Sequence, residues 1–458
     1  MRNDQFGYET SFGSPAAVAA WDRMVLAFLA HSAETPGHLG AVLAEAPDHA
    51  GAHAVKGLLC MMLCRPEMVE TARAAQDAAR LSARRRAPVP REAGYVRALD
   101  AWLAGHPSHA VREMEGILAR WPEDALATKI GHAIRFMLGD RHGMRRSLEA
   151  VLPACDAQNP ALGYLLGCHA FALEETGDYA RAESAGRRAL GLAPDDAWGL
   201  HAVAHVYDMT CDSRGGLDWL EGREAAWEHC NNFRYHVWWH KALMHLDQNE
   251  IDAVFELYDT AIRRDHTDDF RDISNATSLL MRLELEGHEV GHRWDELADI
   301  SERRTGDACL LFADLHYMLA LIGGGRETAT RRMARRFLAD AQHENADEMT
   351  ARMAEPGLAA ARGLEAFGEG DYKTAFVNLK RARGTMQLAG GSHAQCDVFE
   401  RLTVDAALRA GSIDSAEALL TERARLRAGR HDRFAATRLD LIAEFRADSG
   451  TAGRLTAG

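Results

Sequence analysis

A period of about 34 residues constrains this chain more than any other feature. The clearest unit is GYLLGCHAFALEETGDYARAESAGRRALGLAPDD, Gly163 to Asp196. Small residues recur where two antiparallel helices and their neighbour must approach: Ala170 at position 8, Ala182 at 20 and Ala189 at 27. Gly177 at position 15 permits the tight turn, Tyr179 follows it at 17, and Pro194 at 32 stops the second helix. The spacing recurs with Ala98, Gly105, Ala110 and Pro122, and with Gly363, Gly370, Tyr372, Ala375 and Ala382. Partial copies sit on Pro47 with Gly57, Asn249 with Val254, and Gly411 with Ala416 and Ala424. Helix pairs are therefore expected to begin near residues 50, 90, 125, 163, 197, 235, 275, 310, 356 and 397.

This spacing matches the tetratricopeptide repeat pattern, so the expected fold class is all-α: a tetratricopeptide-like α-solenoid, a superhelix of antiparallel helix pairs. The chain of 458 residues shows no long alternating Val/Ile/Thr run and no Ser/Pro-rich linker. One continuous solenoid is expected over 16–444, curled enough to enclose its own concave face. Residues 1–15 and 445–458, polar and Gly-rich, are expected to be flexible ends.

Charge and cysteine usage narrow the partners. A formal net charge of −14 argues against nonspecific nucleic-acid binding, which needs a basic footprint. The eight cysteines are scattered with no Cys-x-x-Cys pair, as in a reducing compartment. With no signal-peptide core and no apolar run of membrane length, the expectation is a cytoplasmic protein without membrane attachment. A homodimer is an open option, since solenoids can pair by their ends.

One stretch departs from scaffold: AWGLHAVAHVYDMTCDSRGGLDWLEGREAAWEHCNNFRYHVWWHKALMH, Ala197 to His245, with five of the nine tryptophans. His201/His205 and His236/His240 are each four apart and so share a helix face. Counting from Pro194, Trp198, His201, His205 and Asp208 fall on the face of a first helix that lines the inner groove of such repeats. His236 and His240 follow in the next unit, interleaved with Tyr235, Trp238 and Trp239, and Glu175 approaches from the unit before. His53 and His132 fall at packing positions and are expected in the core.

Three readings of this cluster stand side by side. The imidazoles are packed wall elements satisfied by hydrogen bonds; or His201, His205, His236 and His240 hold a divalent metal, with Asp208 as an oxygen ligand; or a His held by an acid moves protons without metal. Neither pair, HAVAH nor HVWWH, has the glutamate that an HExxH motif places between its ligands as a base. His201, His205, His236, His240 and Asp208 are the candidate catalytic residues. Trp198, Tyr235, Trp239, Glu175, Asp314, His316, Gln395 and Asp397 are the candidate substrate-binding residues, and Arg401 and Asp405 fall on the same inner face as Asp397.

The strings APDDAWGLHAVAHVYDM, HVWWHKALMHLDQNEIDAVFELYD, LLFADLHYMLA and LAGGSHAQCDVFERL resemble the tetratricopeptide repeat protein 38 family from about residue 16 to 430. The resemblance includes irregular segments between repeats. It implies the same fold, and a site at His201, His205, His236, His240, His316, Asp314 and Asp397, leaving out His245 and His393; it implies no reaction. The expected function is therefore binding of a small molecule or short peptide in a concave His/Asp/Trp pocket. The alternatives are hydrolytic or other acid/base turnover there, with or without metal, and an adaptor docking an extended partner. Concentration of the unusual residues in three units favours a pocket over a long groove.

Overall fold

Residues 2–343 and 347–455 are described by a computed structural model. Within them the chain is a tetratricopeptide-like, all-α succession of helix pairs. First helices begin at Ala50, Pro90, Ala125, Leu162, Ala197, Phe233, Phe270, Leu311, Leu358 and His393. Each lies within about a turn of its expected place; Phe270 starts early because the Asp269 side chain accepts from Arg271 N at 2.9 Å and caps the helix there. A further pair, Pro15–Leu29 and Thr35–Glu45, precedes the expected repeats.

The repeat positions act as their sizes suggest. Ala170, Ala182 and Ala189 are completely buried where Leu162–Glu174, Tyr179–Leu192 and Ala197–Met209 pack together. Gly177 turns the chain at φ +82°, a conformation only glycine adopts without strain. Gly167 and Gly199 bring two helix backbones into contact: a Cβ on Gly167 would stand 3.0 Å from Gly199 Cα and 2.0 Å from Asp196 Oδ2. That approach carries His201 and His205 onto the Glu174 end of the preceding helix.

The superhelix closes on itself. Arg65 pairs with Asp268 and Arg304 with Glu67 at 3.0 Å or less. Ser108 Oγ donates to Glu348 at 2.5 Å, and Arg352 donates to the Leu138 carbonyl at 2.8 Å. Arg427 donates to the Asp208 carbonyl at 2.8 Å, Arg430 to that of Thr210 at 3.1 Å, and the Tyr179 hydroxyl to that of Leu426. These bonds join positions roughly two hundred residues apart, so the concave face becomes an interior.

The two ends expected to be flexible carry some regular structure. Arg2–Asn3 pairs with Glu9–Thr10 in a short hairpin, because Asp4 accepts from Arg91 at 2.6 Å and Phe12 stacks on His49 at 3.8 Å. Arg433–Leu455 is a helix; residues 456–458 of the expected tail lie outside the described residues. All eight cysteines are free, and no helix among the described residues is long and apolar enough to cross a membrane.

Candidate functional site

Asp196 starts the helix that carries the first histidine pair, its carboxylate accepting from Gly199 N at 3.1 Å. His201 and His205 then lie one turn apart with ring centroids at 4.3 Å. On Phe233–Asp247, His236 and His240 repeat the arrangement at 4.7 Å. The two pairs converge: His201 lies 4.8 Å from His236 and 4.9 Å from His240, and His205 lies 4.4 Å from His240. One nitrogen from each of the four falls within 4.8 Å of the others, and all four residues are buried.

Hydrogen bonds orient the cluster from outside. Asn275 Oδ1 accepts from His236 Nδ1 at 2.9 Å, so His236 Nε2 presents a lone pair inward. That nitrogen lies 3.0 Å from His201 Nε2 and 3.2 Å from His240 Nε2. Glu174 Oε2 approaches His205 Nδ1 to 3.3 Å. Nδ1 of His201 and His240, both nitrogens of His205 and both carboxylate oxygens of Glu174 are buried without a hydrogen-bond partner. The wall is aromatic: Trp239 stacks on His236 at 5.1 Å, Phe171 on His201 at 5.6 Å, and Trp198 and Phe233 close the near side.

Burial sets the protonation. It pushes His201 and His240 well below the usual imidazole range and His236 down to about 3, so these three are neutral near pH 7. For His205 burial acts the same way, but Glu174, Glu175 and Asp208 outweigh it and the imidazole moves up. Burial raises Glu174 to about 7 against the pull of His205. Glu175, though buried, is held below the carboxylate range by His393 and Arg141.

A cavity of about 250 Å³ lies beside this centre, lined among others by Arg141, His393, Asp397, Glu400, Arg423 and Arg427. Its His393 ring stands 3.9 Å from Glu175 Oε2, and Arg141 Nε lies 3.0 Å from the same oxygen. His393 N also donates to Glu175 Oε1 at 2.9 Å. Side chains thus run from cavity to cluster in the order His393, Glu175, Glu174, His205.

The expected site residues divide. His201, His205, His236, His240, Trp198, Trp239 and Glu175 come together. Asp208 does not meet the imidazoles: its main-chain oxygen and Oδ1 face Arg427, one turn past His205. Tyr235 turns away, its hydroxyl bonded to Asp265 and accepting from Arg234 at 2.6 Å. Asp314 pairs with Arg336 at 2.7 Å, and His316 Nδ1 donates to the Phe312 carbonyl at 2.8 Å between the rings of Phe312 and Phe399. Gln395 is spent on a capping box with Ser392. Asp397 borders the cavity but is gripped by Arg401 and Arg423, and Asp405 by Arg438. His132 is buried as expected, whereas His53 is half-exposed and bonded to the Pro47 carbonyl at 2.7 Å.

Glu174 and Asn275 adjoin the cluster without having been expected there, and His393, which the family resemblance left out, lines the cavity. Glu174 and Asn275 could have been found from helix phase, since each projects from a first helix toward the same interior. His393 carries no such signal, because its place depends on chain closure.

No protein-family model matches the chain. Among solved structures it is similar to the human IFIT1 dimer with m7Gppp-AAAA at 14% identity, covering 97% of this chain and 98% of that one, with a TM-score of 0.38. The human IFIT1 dimer with PPP-AAAA gives 13% identity, the same coverages and a TM-score of 0.36. Likenesses so distant carry nothing about ligand or activity. What the chain's own helix pairs establish is a tetratricopeptide-like helical repeat protein.

Proposed function

We propose that this protein binds a small polar molecule inside its closed superhelix, in the cavity beside the four histidines. The observation that carries this reading is the succession of side chains from the cavity wall at His393, 3.9 Å from Glu175, to Glu174 and His205, whose polar atoms lie within 4.8 Å of those of Glu175. A volume of about 250 Å³ suits a compact metabolite-sized molecule better than a peptide. A small molecule is preferred to an extended partner because Arg427 and Arg430 tie the C-terminal helices to the Asp208 and Thr210 carbonyls. The resemblance to the tetratricopeptide repeat protein 38 family supports the same placement of the histidines.

Turnover of the bound molecule is the second reading, favoured by the Glu174–His205 pair standing between the cavity side and the other imidazoles. Binding is tested by thermal shift and tryptophan fluorescence against a panel of small carboxylates, phosphates and amines, with His393→Trp to obstruct the cavity. A ligand that stabilises the wild type and fails with this variant, at unchanged helicity, is the expected result. A ligand whose binding ignores His393→Trp, or a panel without response, would remove the cavity from the function.

A further inference from the structure

We propose that His201, His205, His236 and His240 bind one transition-metal ion of the zinc class, with Asn275 and Glu174 orienting two of the ligands. This deepens the reading of the interior as a working site, and it stands on different atoms from the cavity.

The first argument is spacing. Nitrogens on a tetrahedral ion at 2.0–2.1 Å lie about 3.3 Å apart. The Nε2 separations of 3.0 and 3.2 Å about His236 match the edges of such a polyhedron. All four donors already lie within 4.8 Å, so small side-chain adjustments suffice.

The second is hydrogen accounting. His236 Nδ1 must carry its proton because Asn275 Oδ1 only accepts, which leaves Nε2 bare and facing two further Nε2 atoms. If His201 and His240 both donate to it, their own Nδ1 atoms become bare acceptors buried with no donor. If they do not, lone pairs face lone pairs. No distribution of protons among these rings satisfies every buried nitrogen, and each unmet group weighs against the fold. A cation at the convergence takes three Nε2 lone pairs at once.

The third is the surround. Metal-bound imidazoles commonly donate their second nitrogen to a carbonyl or carboxylate. Asn275 holds that place for His236, and Glu174 Oε2 stands 3.3 Å from His205 Nδ1, close enough to take it with a small side-chain adjustment. Phe171, Trp198, Phe233 and Trp239 exclude water around them. Four imidazole nitrogen donors select zinc, copper or nickel over magnesium or calcium, and a tetrahedral arrangement favours zinc. Glu174, Glu175 and His205 also lie within 4.8 Å of one another, but Glu175 is already occupied by Arg141 and by the His393 N–H. The four-histidine set is therefore the metal site.

The test is elemental analysis of the full chain purified without a histidine tag, followed by stripping and titration with cobalt(II), whose tetrahedral complexes absorb strongly in the visible. We expect close to one zinc per chain and a tetrahedral cobalt band that zinc displaces. His236→Ala should abolish both, while His132→Phe, which alters a buried imidazole outside the set, should leave both intact. Asn275→Ala should weaken cobalt affinity by about 10- to 100-fold, and it decides the matter if His236→Ala does not fold. A wild type that carries no zinc and gives no tetrahedral band, or an Asn275→Ala protein with wild-type affinity, would overturn the proposal. Loss of small-molecule binding in His393→Trp at full zinc content separates the cavity reading from this one.

Discussion

Two knots of buried polar side chains lie in the interior and obey opposite rules. In one, Asp397 and Asp432 are clasped by Arg401, Arg423 and Arg427. Arg423 alone makes four bonds of 2.6–2.9 Å to the two carboxylates. Arg401 adds Glu286 at 3.0 Å. These carboxylates and Arg423 find opposite charge, which holds both acids below their usual range in spite of burial. In the other, four imidazoles meet with lone pairs inward and nitrogens unmatched. Unmatched nitrogens also occur singly, on His132 and on Nε2 of His316, so what sets the cluster apart is that four such rings converge within 4.8 Å.

The comparison can be broken most directly at Arg423. Arg423→Met leaves two buried carboxylates short of their main counter-charge and should cost about 3–5 kcal/mol in urea denaturation at pH 7. A loss below about 1 kcal/mol would show that the knot is held by its other arginines and is not a unit.

Acid sharpens the contrast between buried imidazoles and paired carboxylates. Burial brings His316 down to about 4, against its hydrogen bond to the Phe312 carbonyl. The unfolded chain binds that proton near pH 6.5 and the folded chain near 4, so stability is full above 6.5 and declines as pH falls between them. The total is about 3 kcal/mol. His316→Leu should make the melting temperature fall less steeply over that window, the other buried imidazoles keeping their share of the slope. Asp397 and Asp432 have depressed folded values, so their contribution persists to about pH 4 and is lost only below it. A wild-type profile that is flat from pH 6.5 to 4 would refute the assignment for His316.

The smallest effect belongs to the cluster itself. In metal-free protein, His240→Leu should change stability by less than about 1 kcal/mol in either direction, since it removes a buried nitrogen that had no partner. A large loss would mean the imidazoles satisfy one another after all.

How much of this was legible depended on the distance over which each feature is determined. Small residues at repeat positions act on immediate neighbours, so helix starts from Ala50 to His393 followed from spacing. The first pair, Pro15–Leu29 and Thr35–Glu45, lacks those anchors and passed unseen. The four histidines were visible because the four-residue interval is local. Their supporting groups were not: Glu174 differs from the expected Glu175 by one helical step, and Asn275 sits 39 residues from His236. Asp314, His316 and Gln395 looked alike in sequence to site residues. Partners set by tertiary packing, Arg336, the Phe312 carbonyl and Ser392, gave them structural duties instead.

An open solenoid can grow by adding units, each one stable once it rests on the last. This one joins Arg65 to Asp268, Ser108 to Glu348 and Asp208 to Arg427. Such long loops must close before their contacts count, which makes folding slow and all-or-none across the ring. The wall supplied by Leu379 to Arg427 is also the last part of the cavity to leave the ribosome. Shortening the chain by whole repeats, harmless in many arrays, would here take away the cavity before it took away the helices.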